Sequence, residues 1–367
     1  MESSCAMSAA DTRQTPLISV ILPTHNCESF LGEAVMSVLR QTYPHWELWV
    51  VDDGSTDGTP ALMASFTARD ERIHYIPLPK QPSSAGSAVR NVALTHARGD
   101  YVAYLDSDDV FYPDALETLL AALRDCPDKV VAKGFYNTID ERGRPLRNVG
   151  VDLLTLPSGE TVLPPGFCYD WLTVLDVRFP CQLGTGLYRR SLLDELGPFR
   201  EDLTHSDDFE YFVKIFQRYP QGVAVLPRYV LGYRIQPNAL TKDPQKAQAL
   251  VSCHLRVLDD IFAPEFGLPP QAQALRSLVT LYFFRRVARN QLNLNRPQLA
   301  RALALQARRR PDVDKTAWLR AFWGVYSQTF FPSGFYQSLA GLNREVRLMA
   351  QGLRYASPLT RQTTVST

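Results

Sequence analysis

Residues 99–109 read GDYVAYLDSDD, a short and mostly apolar run that ends in three crowded carboxylates. The apolar part predicts a buried β-strand over residues 101–105. Carboxylates this close raise the free-energy cost of ionising one another, so a positive group is expected beside them. Residues two apart in an extended strand point to the same side, so Asp106 and Asp108 can face one cation. The alternative is an acidic turn in front of the helix that Pro113 opens.

The chain around this stretch alternates strand-like and helical patterns. Apolar runs predict the strands, and apolar residues at helical spacing predict the helices between them. The predicted strands cover residues 18–22, 47–51, 73–78, 101–105 and 130–135, and the predicted helices cover 30–39, 60–66, 88–97 and 113–123. This alternation, with its short connections, indicates an α/β fold with a mostly parallel sheet covered by helices on both faces.

Polar side chains follow three of the predicted strands. They are Thr24, His25 and Asn26 after the first, Asp52 and Asp53 after the second, and Asp106, Ser107 and Asp108 after the fourth. Ligands of parallel sheets bind at the carboxyl ends of the strands. We therefore expect these side chains to form one rim.

Two motifs beside this rim each have two interpretations. In DDGSTDG, residues 52–58, a carboxylate can accept hydrogen bonds from a base or ribose while Gly54 allows close approach; otherwise the segment is an Asx-type turn and helix cap. In AGSAVRN, residues 85–91, Arg90 lies one turn into a helix that starts after a glycine. It either contacts a phosphate or base or is an exposed arginine on an ordinary helix.

An amphipathic helix is predicted after Ser206, its expected N-cap. Its apolar residues recur at helical spacing, at Phe209, Phe212, Val213 and Phe216. Asp207 and Asp208 occupy the first turn, where a carboxylate either takes part in chemistry or only interacts favourably with the helix dipole. Residues 137–180 read as irregular and are expected to form a lid or an acceptor-side insertion.

The chain has 367 residues, of which 45% are hydrophobic and 21% charged, so a globular protein with a substantial core is expected. Its net charge of +1 hides an asymmetry. Residues 1–240 hold 21 Lys and Arg against 31 Asp and Glu, whereas residues 241–367 hold 18 against 7. The sequence thus predicts a flexible tail over residues 1–16, an α/β domain over 17–240 and a basic, mainly helical domain over 241–367.

The compartment is predicted from what the chain lacks. Its six cysteines are scattered without metal-ligand spacing, and no apolar run has the length of a transmembrane helix. We expect a cytoplasmic protein, with the inner face of the membrane as a candidate peripheral location. The basic domain can bind an anionic membrane, track an acidic polysaccharide, mediate self-association or only present a solvated arginine-rich face. No nucleic acid partner is expected.

Six segments together resemble the inverting glycosyltransferases of family 2, which have the GT-A fold. In the family's order they are SVILPTHNCESFLGEAVMSVLRQTY, WELWVVDDGSTDGT, AGSAVRNVAL, ARGDYVAYLDSDD, GTGLYRRSLLDELGPFRED and SDDFEYFVKIFQRY, within residues 17–235. The resemblance implies a nucleotide-sugar donor, expected to be a UDP-sugar, and a divalent cation, Mn²⁺ or Mg²⁺. It also implies a glycan or lipid-linked acceptor. The C-terminal third of the chain is not covered.

The resemblance implies a role for each matching residue. The donor nucleotide would be bound by Pro23, Thr24, Asn26, Glu28, Asp52, Asp53, Arg90, Asp106 and Arg234. Within this set, Asp53 would bind the base, Asp106 the ribose side, and Arg234 would close over the diphosphate. Asp108 would bind the cation, and Asp208 would be the catalytic base.

The chain departs from the family pattern at two positions. The family's Glu-Asp pair reads Asp207-Asp208 here, and the histidine that frequently follows the Tyr-Arg motif is Gln236. A glutamine has no imidazole nitrogen to offer a metal.

The chemistry expected from the residues agrees with the resemblance. Transfer from a nucleotide sugar needs positive charge at the leaving diphosphate and a carboxylate that accepts the proton of the acceptor hydroxyl. One base opposite the leaving group suits a single in-line displacement, hence inversion.

Three other classes of protein are alternatives to a glycosyltransferase. A sugar nucleotidyltransferase should carry a Gly-rich, Arg-containing loop where this chain reads PTHNCESF, and the GxGxxG of a Rossmann dehydrogenase is absent. A catalytically degenerate transferase that serves as a binding or assembly module is a further alternative. Intact carboxylates at Asp52, Asp53, Asp106, Asp108 and Asp208 argue against it.

Overall fold

The computed structural model describes residues 15–80, 86–146, 182–236, 244–268, 273, 276–293, 296–319 and 321–322. The described residues up to Gln236 form one compact unit and those from residue 244 onward form a second. Most of the predicted tail and most of the predicted irregular insertion lie outside the described residues.

An eight-stranded sheet is the centre of the first unit. Its strands are β1 (Ile18–Thr24), β2 (Trp46–Asp53), β3 (Ile73–Leu78), β4 (Tyr101–Tyr104), β5 (Val110–Phe111), β6 (Val131–Ile139), β7 (Gly186–Arg189) and β8 (Val223–Arg234), in the order β3-β2-β1-β4-β7-β6-β8-β5. The neighbours from β3 to β4 are parallel, as are β6 and β8. β7 is antiparallel to both of its neighbours, and β5 is antiparallel to β8. The predicted α/β fold with a mostly parallel sheet is confirmed. The antiparallel strands β5 and β7 were not part of that prediction.

Helices surround this sheet. They are α1 (Glu28–Leu39), α2 (Thr59–Thr67), α3 (Ser87–His96), α4 (Ala115–Asp125), α5 (Arg190–Leu196) and α6 (Asp207–Arg218). The buried stripes of α1 and α4, which include Leu31, Val35, Leu116 and Leu119, belong to one apolar core with the strands. Burying each such side chain contributes about 1.5–3 kcal/mol, which anchors the helices on the sheet.

The predicted helix after Ser206 is α6, and its predicted apolar residues are buried. The expected N-cap is wrong in detail. Ser206 has a left-handed backbone, with φ of 65°, and its side chain makes no capping hydrogen bond. Asp208 instead accepts the backbone amide of Phe209 over 2.7 Å. The first turn of α6 is therefore stabilised by its own carboxylate.

The second unit contains three helices of more than ten residues, within the part that the structure describes. They are α7 (Pro244–Ile261), α8 (Arg276–Asn293) and α9 (Pro297–Arg309). Arg276 and Arg310 both pair with Asp259 and Asp312, which links α7, α8 and the end of α9. None of the described helices combines the length and apolar character that crossing a bilayer requires.

Candidate active site

The polar ends of three strands lie side by side. β1 pairs in parallel with β2 and β4, and Thr24 lies in register with Asp52. On its other side, Ile21 is in register with Tyr104, the last residue of β4, so Asp106 follows at the same edge. Since the three strands are parallel, their carboxyl ends meet there. The backbone thus forms the predicted rim.

The carboxylates after β4 lie in a tight turn that we call the acidic turn, residues 106–109. The backbone amide of Asp109 donates to the carbonyl oxygen of Asp106 over 3.0 Å. The predicted strand over residues 101–105 ends one residue early, at Tyr104, and the expectation that Asp106 and Asp108 share a side as in extended backbone is wrong, because this hydrogen bond closes a turn. Asp106 keeps 44% of its side chain exposed, whereas Asp109 is buried.

The acidic turn carries the electrostatic repulsion that its sequence suggests. Burial and the neighbouring Asp106 carboxylate raise the pKa of Asp108 to about 6. Burial, Asp106 and Asp108 likewise raise the pKa of Asp109 well above its usual value. A carboxylate in this position gains from a nearby cation, which favours its charged form.

The residues of the acidic turn fit a hard divalent cation. Mg²⁺ typically takes one or two carboxylates together with phosphate oxygens and water, and Asp108 with Asp106 supplies the carboxylates. The side-chain amide of Gln236 donates to Asp108 over 2.6 Å. Within the described ranges, no group of three or more His, Cys, Asp and Glu side chains could hold a metal ion. The protein's share of the coordination of such a cation would therefore be small.

Arg234 lies beneath the acidic turn and is fully buried. Its guanidinium donates to the carbonyl oxygens of Asp108 at 2.7 Å, Asp140 at 2.9 Å and Glu141 at 2.8 Å, and it pairs with Glu33. These contacts hold the backbone of the turn from below. A contact of Arg234 with the donor diphosphate stays a prediction, and it would require some of these hydrogen bonds to break.

The loops after β1 and β2 are joined by Asn26 of the first loop and by Glu28, the first residue of α1. Asn26, in a left-handed conformation with φ of 47°, accepts the backbone amide of Thr56 over 2.8 Å. Glu28 accepts the amide of Gly58 over 3.0 Å. Both predicted nucleoside-binding residues therefore shape the two loops that flank the rim, whatever else they contact.

The end of β1 faces the acidic turn. The hydroxyl of Thr24 is buried and has no hydrogen-bond partner among the described residues, and Pro23 beside it is partly exposed. Cys27 hydrogen-bonds Ser107 of the acidic turn through its thiol, whose pKa is raised by burial. The predicted nucleoside side and the predicted metal side are thus adjacent.

Asp52 and Asp53 differ in their surroundings. Asp52 is buried and accepts hydrogen bonds from the backbone and hydroxyl of Ser55, at 2.9 and 2.6 Å, and from the hydroxyl of Tyr75 at 2.6 Å. It thereby forms the turn that the sequence allowed. Asp53 pairs with Lys80 at 2.5 Å, and the Lys80 side chain is half exposed. A donor base would meet Asp53 together with this lysine.

Arg90 connects α6 to the acidic turn. Its guanidinium lies 2.7 Å from the carboxylate of Asp207 and 3.2 Å from that of Asp106, and its side chain is almost fully buried. The hydroxyl of Ser87, at the start of α3, also donates to Asp207 over 3.0 Å. The exposed-arginine interpretation of Arg90 is therefore wrong.

Asp208 points to different partners from those of Asp207. Burial, with the adjacent Asp207 carboxylate, raises the pKa of Asp208 to about 7. A carboxylate with a pKa near neutrality can both accept and release a proton at physiological pH, which suits general-base catalysis.

Three contributors to this site escaped the sequence analysis. They are Tyr75 of β3, which contacts Asp52, Lys80 just after β3, which contacts Asp53, and Glu33 of α1, which contacts Arg234. The sequence around each of these three residues carries no recognisable motif. The only indication in the sequence is that adjacent carboxylates such as Asp52 and Asp53 require hydrogen-bond donors or cations nearby.

A parallel sheet edge that gathers an acidic turn, two polar loops and a carboxylate at a helix start is the arrangement of a GT-A glycosyltransferase. The family model "Glycosyl transferase family 2" matches residues 19–197. This segment, just under half of the chain, includes the rim, the acidic turn and Arg90, and over it the chain is similar to glycosyl transferase family 2.

Curated relatives carry related descriptions. The chain is 41% identical over 137 residues to the "Putative teichuronic acid biosynthesis glycosyltransferase TuaG" of Bacillus subtilis. The aligned region covers 37% of this chain and 52% of that protein. It is 28% identical over 232 residues to the uncharacterized glycosyltransferase EpsJ of the same organism, covering 63% and 64%. The chain thus spans between about half and two thirds of the length of these relatives.

Solved structures share the fold. The S. aureus TarS fragment 1–349 in complex with UDP has a TM-score of 0.50 at 21% identity, over 86% of this chain and 92% of that one. The mannosyltransferase PcManGT from Pyrobaculum calidifontis, in complex with GDP-Man and Mn²⁺, has a TM-score of 0.52 at 19% identity, over 93% and 87%.

Proposed function

We propose that this chain transfers a sugar from a nucleoside-diphosphate sugar to a hydroxyl of a glycan or lipid-linked acceptor, with inversion at the anomeric carbon. The observation that carries the proposal is the position of Arg90, which touches both the acidic turn and the start of α6. Arg90 pairs with Asp106 and Asp207, which are close neighbours in sequence of the expected cation-binding residue Asp108 and the expected base Asp208, and this supports placing both in one site.

The donor would lie along the rim. Asp53 would accept hydrogen bonds from the base, next to Lys80, and Asp106 would meet the ribose, with Pro23, Thr24, Asn26 and Glu28 forming the wall. A divalent cation bound by Asp108, with Asp106 beside it, would stabilise the negative charge of the leaving diphosphate. A UDP-sugar is the expected donor; a GDP-sugar is the competing choice, since the two similar structures hold UDP and GDP-Man.

Asp208 would take the proton of the acceptor hydroxyl. Its neighbour Asp207 is held by Arg90 and Ser87, whereas Asp208 has no arginine at hydrogen-bond distance within the part of the chain that the structure describes. A base on the face opposite the leaving group supports a single displacement, and therefore inversion.

The proposed glycan acceptor and the proposed cytoplasmic location are supported by less specific observations. A relative described in terms of teichuronic acid biosynthesis supports a glycan acceptor. The thiols of Cys27, Cys126 and Cys253 are free, which supports a reducing cytoplasmic compartment.

A donor screen tests the function. Purified protein, Mn²⁺ or Mg²⁺ and a panel of UDP- and GDP-sugars should give release of one nucleoside diphosphate, with transfer to a simple glycoside acceptor and an inverted anomeric configuration by NMR. Asp108→Asn should weaken metal-dependent nucleotide binding, and Asp208→Asn should slow transfer while nucleotide still binds. Nucleotide binding without hydrolysis or transfer of any donor would support the binding-module alternative. Formation of a nucleotide sugar from a nucleoside triphosphate and a sugar phosphate would support a nucleotidyltransferase.

A further inference from the structure

The second unit contains a long segment without negative charge. Residues 276–310 include nine arginines and no aspartate or glutamate. Two of these arginines, Arg276 and Arg310, are neutralised by Asp259 and Asp312. Three of the other arginines, Arg301, Arg308 and Arg309, lie on α9.

α9 has one buried side and one basic side. Its buried residues are Ala300, Leu303, Ala304 and Ala307. The opposite side presents Arg301, Leu305, Arg308 and Arg309, all exposed, at spacings of three and four residues. Leu305 lies in the middle of these arginines, with 39% of its surface exposed. We call these four residues the basic face.

A second exposed leucine lies on the helical turn that follows α9. The indole of Trp318 donates to the carbonyl oxygen of Ala304 over 2.7 Å, which fixes residues 315–319 against α9. Leu319 is 54% exposed there, and Lys315 is exposed as well. The guanidinium of Arg308 lies 5.2 Å from the Trp318 ring, so the two elements form a continuous surface.

The composition of this surface distinguishes between partners. Arginine forks bind phosphate oxygens in pairs and carry positive charge at any physiological pH. Exposed leucines among the arginines gain nothing from a hydrated acidic polysaccharide, but they gain free energy by entering the headgroup region of a bilayer. Among the described residues, no acidic side chain lies within ion-pair distance of Arg308 or Arg309.

We propose that the basic face of α9, extended by Lys315 and Leu319, docks this protein on the surface of an anionic phospholipid bilayer. The arginines contact lipid phosphates, and Leu305 and Leu319 enter the interface between headgroups and acyl chains. The proposal goes beyond sugar transfer and does not depend on it, because the lipid contact is made by residues outside the candidate active site.

Vesicle flotation with the full chain tests this docking. Vesicles of phosphatidylcholine alone should bind little protein, and vesicles with equal parts of phosphatidylcholine and phosphatidylglycerol should bind most of it. Each arginine near an anionic surface contributes about a fivefold gain in partition, so Arg308→Glu with Arg309→Glu should lower partition by more than about tenfold. Added salt should weaken the binding, since the Debye length falls to about 3 Å at 1 M.

Matched controls separate this face from net charge. Arg40→Glu with Arg69→Glu makes the same charge change at exposed positions of the first unit, and it should leave partition unchanged. Leu305→Ser keeps every charge and should lower partition to anionic vesicles by several fold. The melting temperature and circular dichroism spectrum of each variant should match those of the parent chain and show that the variants are folded.

Three outcomes overturn the proposal. One is equal partition to neutral and anionic vesicles, or none to either. Another is an equal loss in the Arg40 and Arg69 control. The third is a soluble oligomer that Arg308→Glu with Arg309→Glu dissociates while anionic vesicles bind neither form, which would make the basic face a self-association surface. Failure of the donor screen leaves these readouts unaffected.

Discussion

Asp207 and Asp208 are neighbours in sequence whose carboxylates have separate tasks. Asp207 is buried between Arg90 and Ser87, so its charge is compensated and its position fixed. Asp208 contacts the backbone amide of Phe209 and feels Asp207 as a like charge. Asp207 takes the place of the glutamate in the family's Glu-Asp pair, so the shorter side chain is the one that contacts Arg90. The expected base, Asp208, is the same residue type as in the family.

The pH dependence of transfer should report the state of Asp208. Because the pKa of Asp208 is raised to about 7, its active ionised form is gained as the pH rises through that value. We expect the transfer rate to rise with one ionisation near neutrality and then level off. Asp208→Asn should lower the rate by about 10²–10⁴ and remove this rise, with little change in donor affinity. A rate that is flat across neutral pH in the parent chain would place the base elsewhere, with Asp207 as the next candidate.

Asp208→Asn should also change the thermal stability of the protein, and the size of this change should depend on pH. The folded-state pKa of Asp208 lies above its ordinary value, so the favourable protonated form is lost as the pH rises through about 7. The melting temperature of Asp208→Asn relative to the parent should therefore increase between about pH 5 and pH 8. An Asp208→Asn variant that loses relative stability over this range contradicts the burial of this carboxyl.

Arg234 should behave as a structural residue of the acidic turn. Its guanidinium reaches three carbonyl oxygens and Glu33 from a fully buried position, which a lysine ammonium cannot reproduce. We expect Arg234→Lys to lower the free energy of unfolding by about 2–4 kcal/mol, as measured by urea denaturation. Glu33→Gln is the control: the Glu33 side chain is 53% exposed, so the cost should stay below about 1 kcal/mol. Unchanged stability of Arg234→Lys with weakened donor binding would instead assign Arg234 to the diphosphate.

At the scale of elements, the turn after β2 is the most constrained connection beside the rim. Gly54 has φ of 71°, and a Cβ added there would lie 2.6 Å from the backbone nitrogen of Lys80. Backbone cannot move aside as a flexible side chain can. The close packing of this turn against the backbone of Lys80 therefore holds Asp53 and Lys80 next to each other.

Gly54→Ala should be far more costly than the same change at Gly197. Both glycines have a positive φ, but a Cβ at Gly197 meets nothing within 4 Å. Gly197→Ala should cost only the conformational strain, about 1–3 kcal/mol. Gly54→Ala adds a backbone clash and should cost several kcal/mol more or displace the end of β3 and weaken UDP binding. Equal melting temperatures for the two variants would show that the turn after β2 is not tightly packed.

At the scale of the whole molecule, the chain separates its charges between its two units. The balance of −10 over residues 1–240 coincides with the carboxylates of the rim, and the balance of +11 over residues 241–367 includes the basic face. An acidic site suits a cation and its nucleotide, whereas a basic helical surface suits anionic partners.

Hydrogen exchange should place the donor in the first unit alone. UDP with Mn²⁺ at about 100 times the dissociation constant stabilises the binding-competent state by about 2.7 kcal/mol. Amides in the loops after β1 and β2 and in the acidic turn should slow most, and those of α7, α8 and α9 should exchange as before. Protection that appears chiefly in the helices of the second unit would contradict the assignment of the donor site to the rim.

The local patterns of the chain were sufficient for most of the first unit. Strand and helix positions follow from spacings of two and of three to four residues, and the predicted rim follows from parallel strands whose ends share an edge. Element ends shifted where a capping contact or turn replaced regular structure, as at Ser206 and the acidic turn.

Local patterns in the chain specify which elements form, which residues enter the core and which carboxylates reach the rim, because these depend on neighbours a few residues apart. Long-range packing, in contrast, pairs Arg90 with Asp207, 117 residues away, and buries Arg234 beneath Asp108. It also decided that β7 enters the sheet antiparallel. A buried guanidinium must find acceptors wherever packing brings them, and no spacing along the chain encodes which acceptors those are.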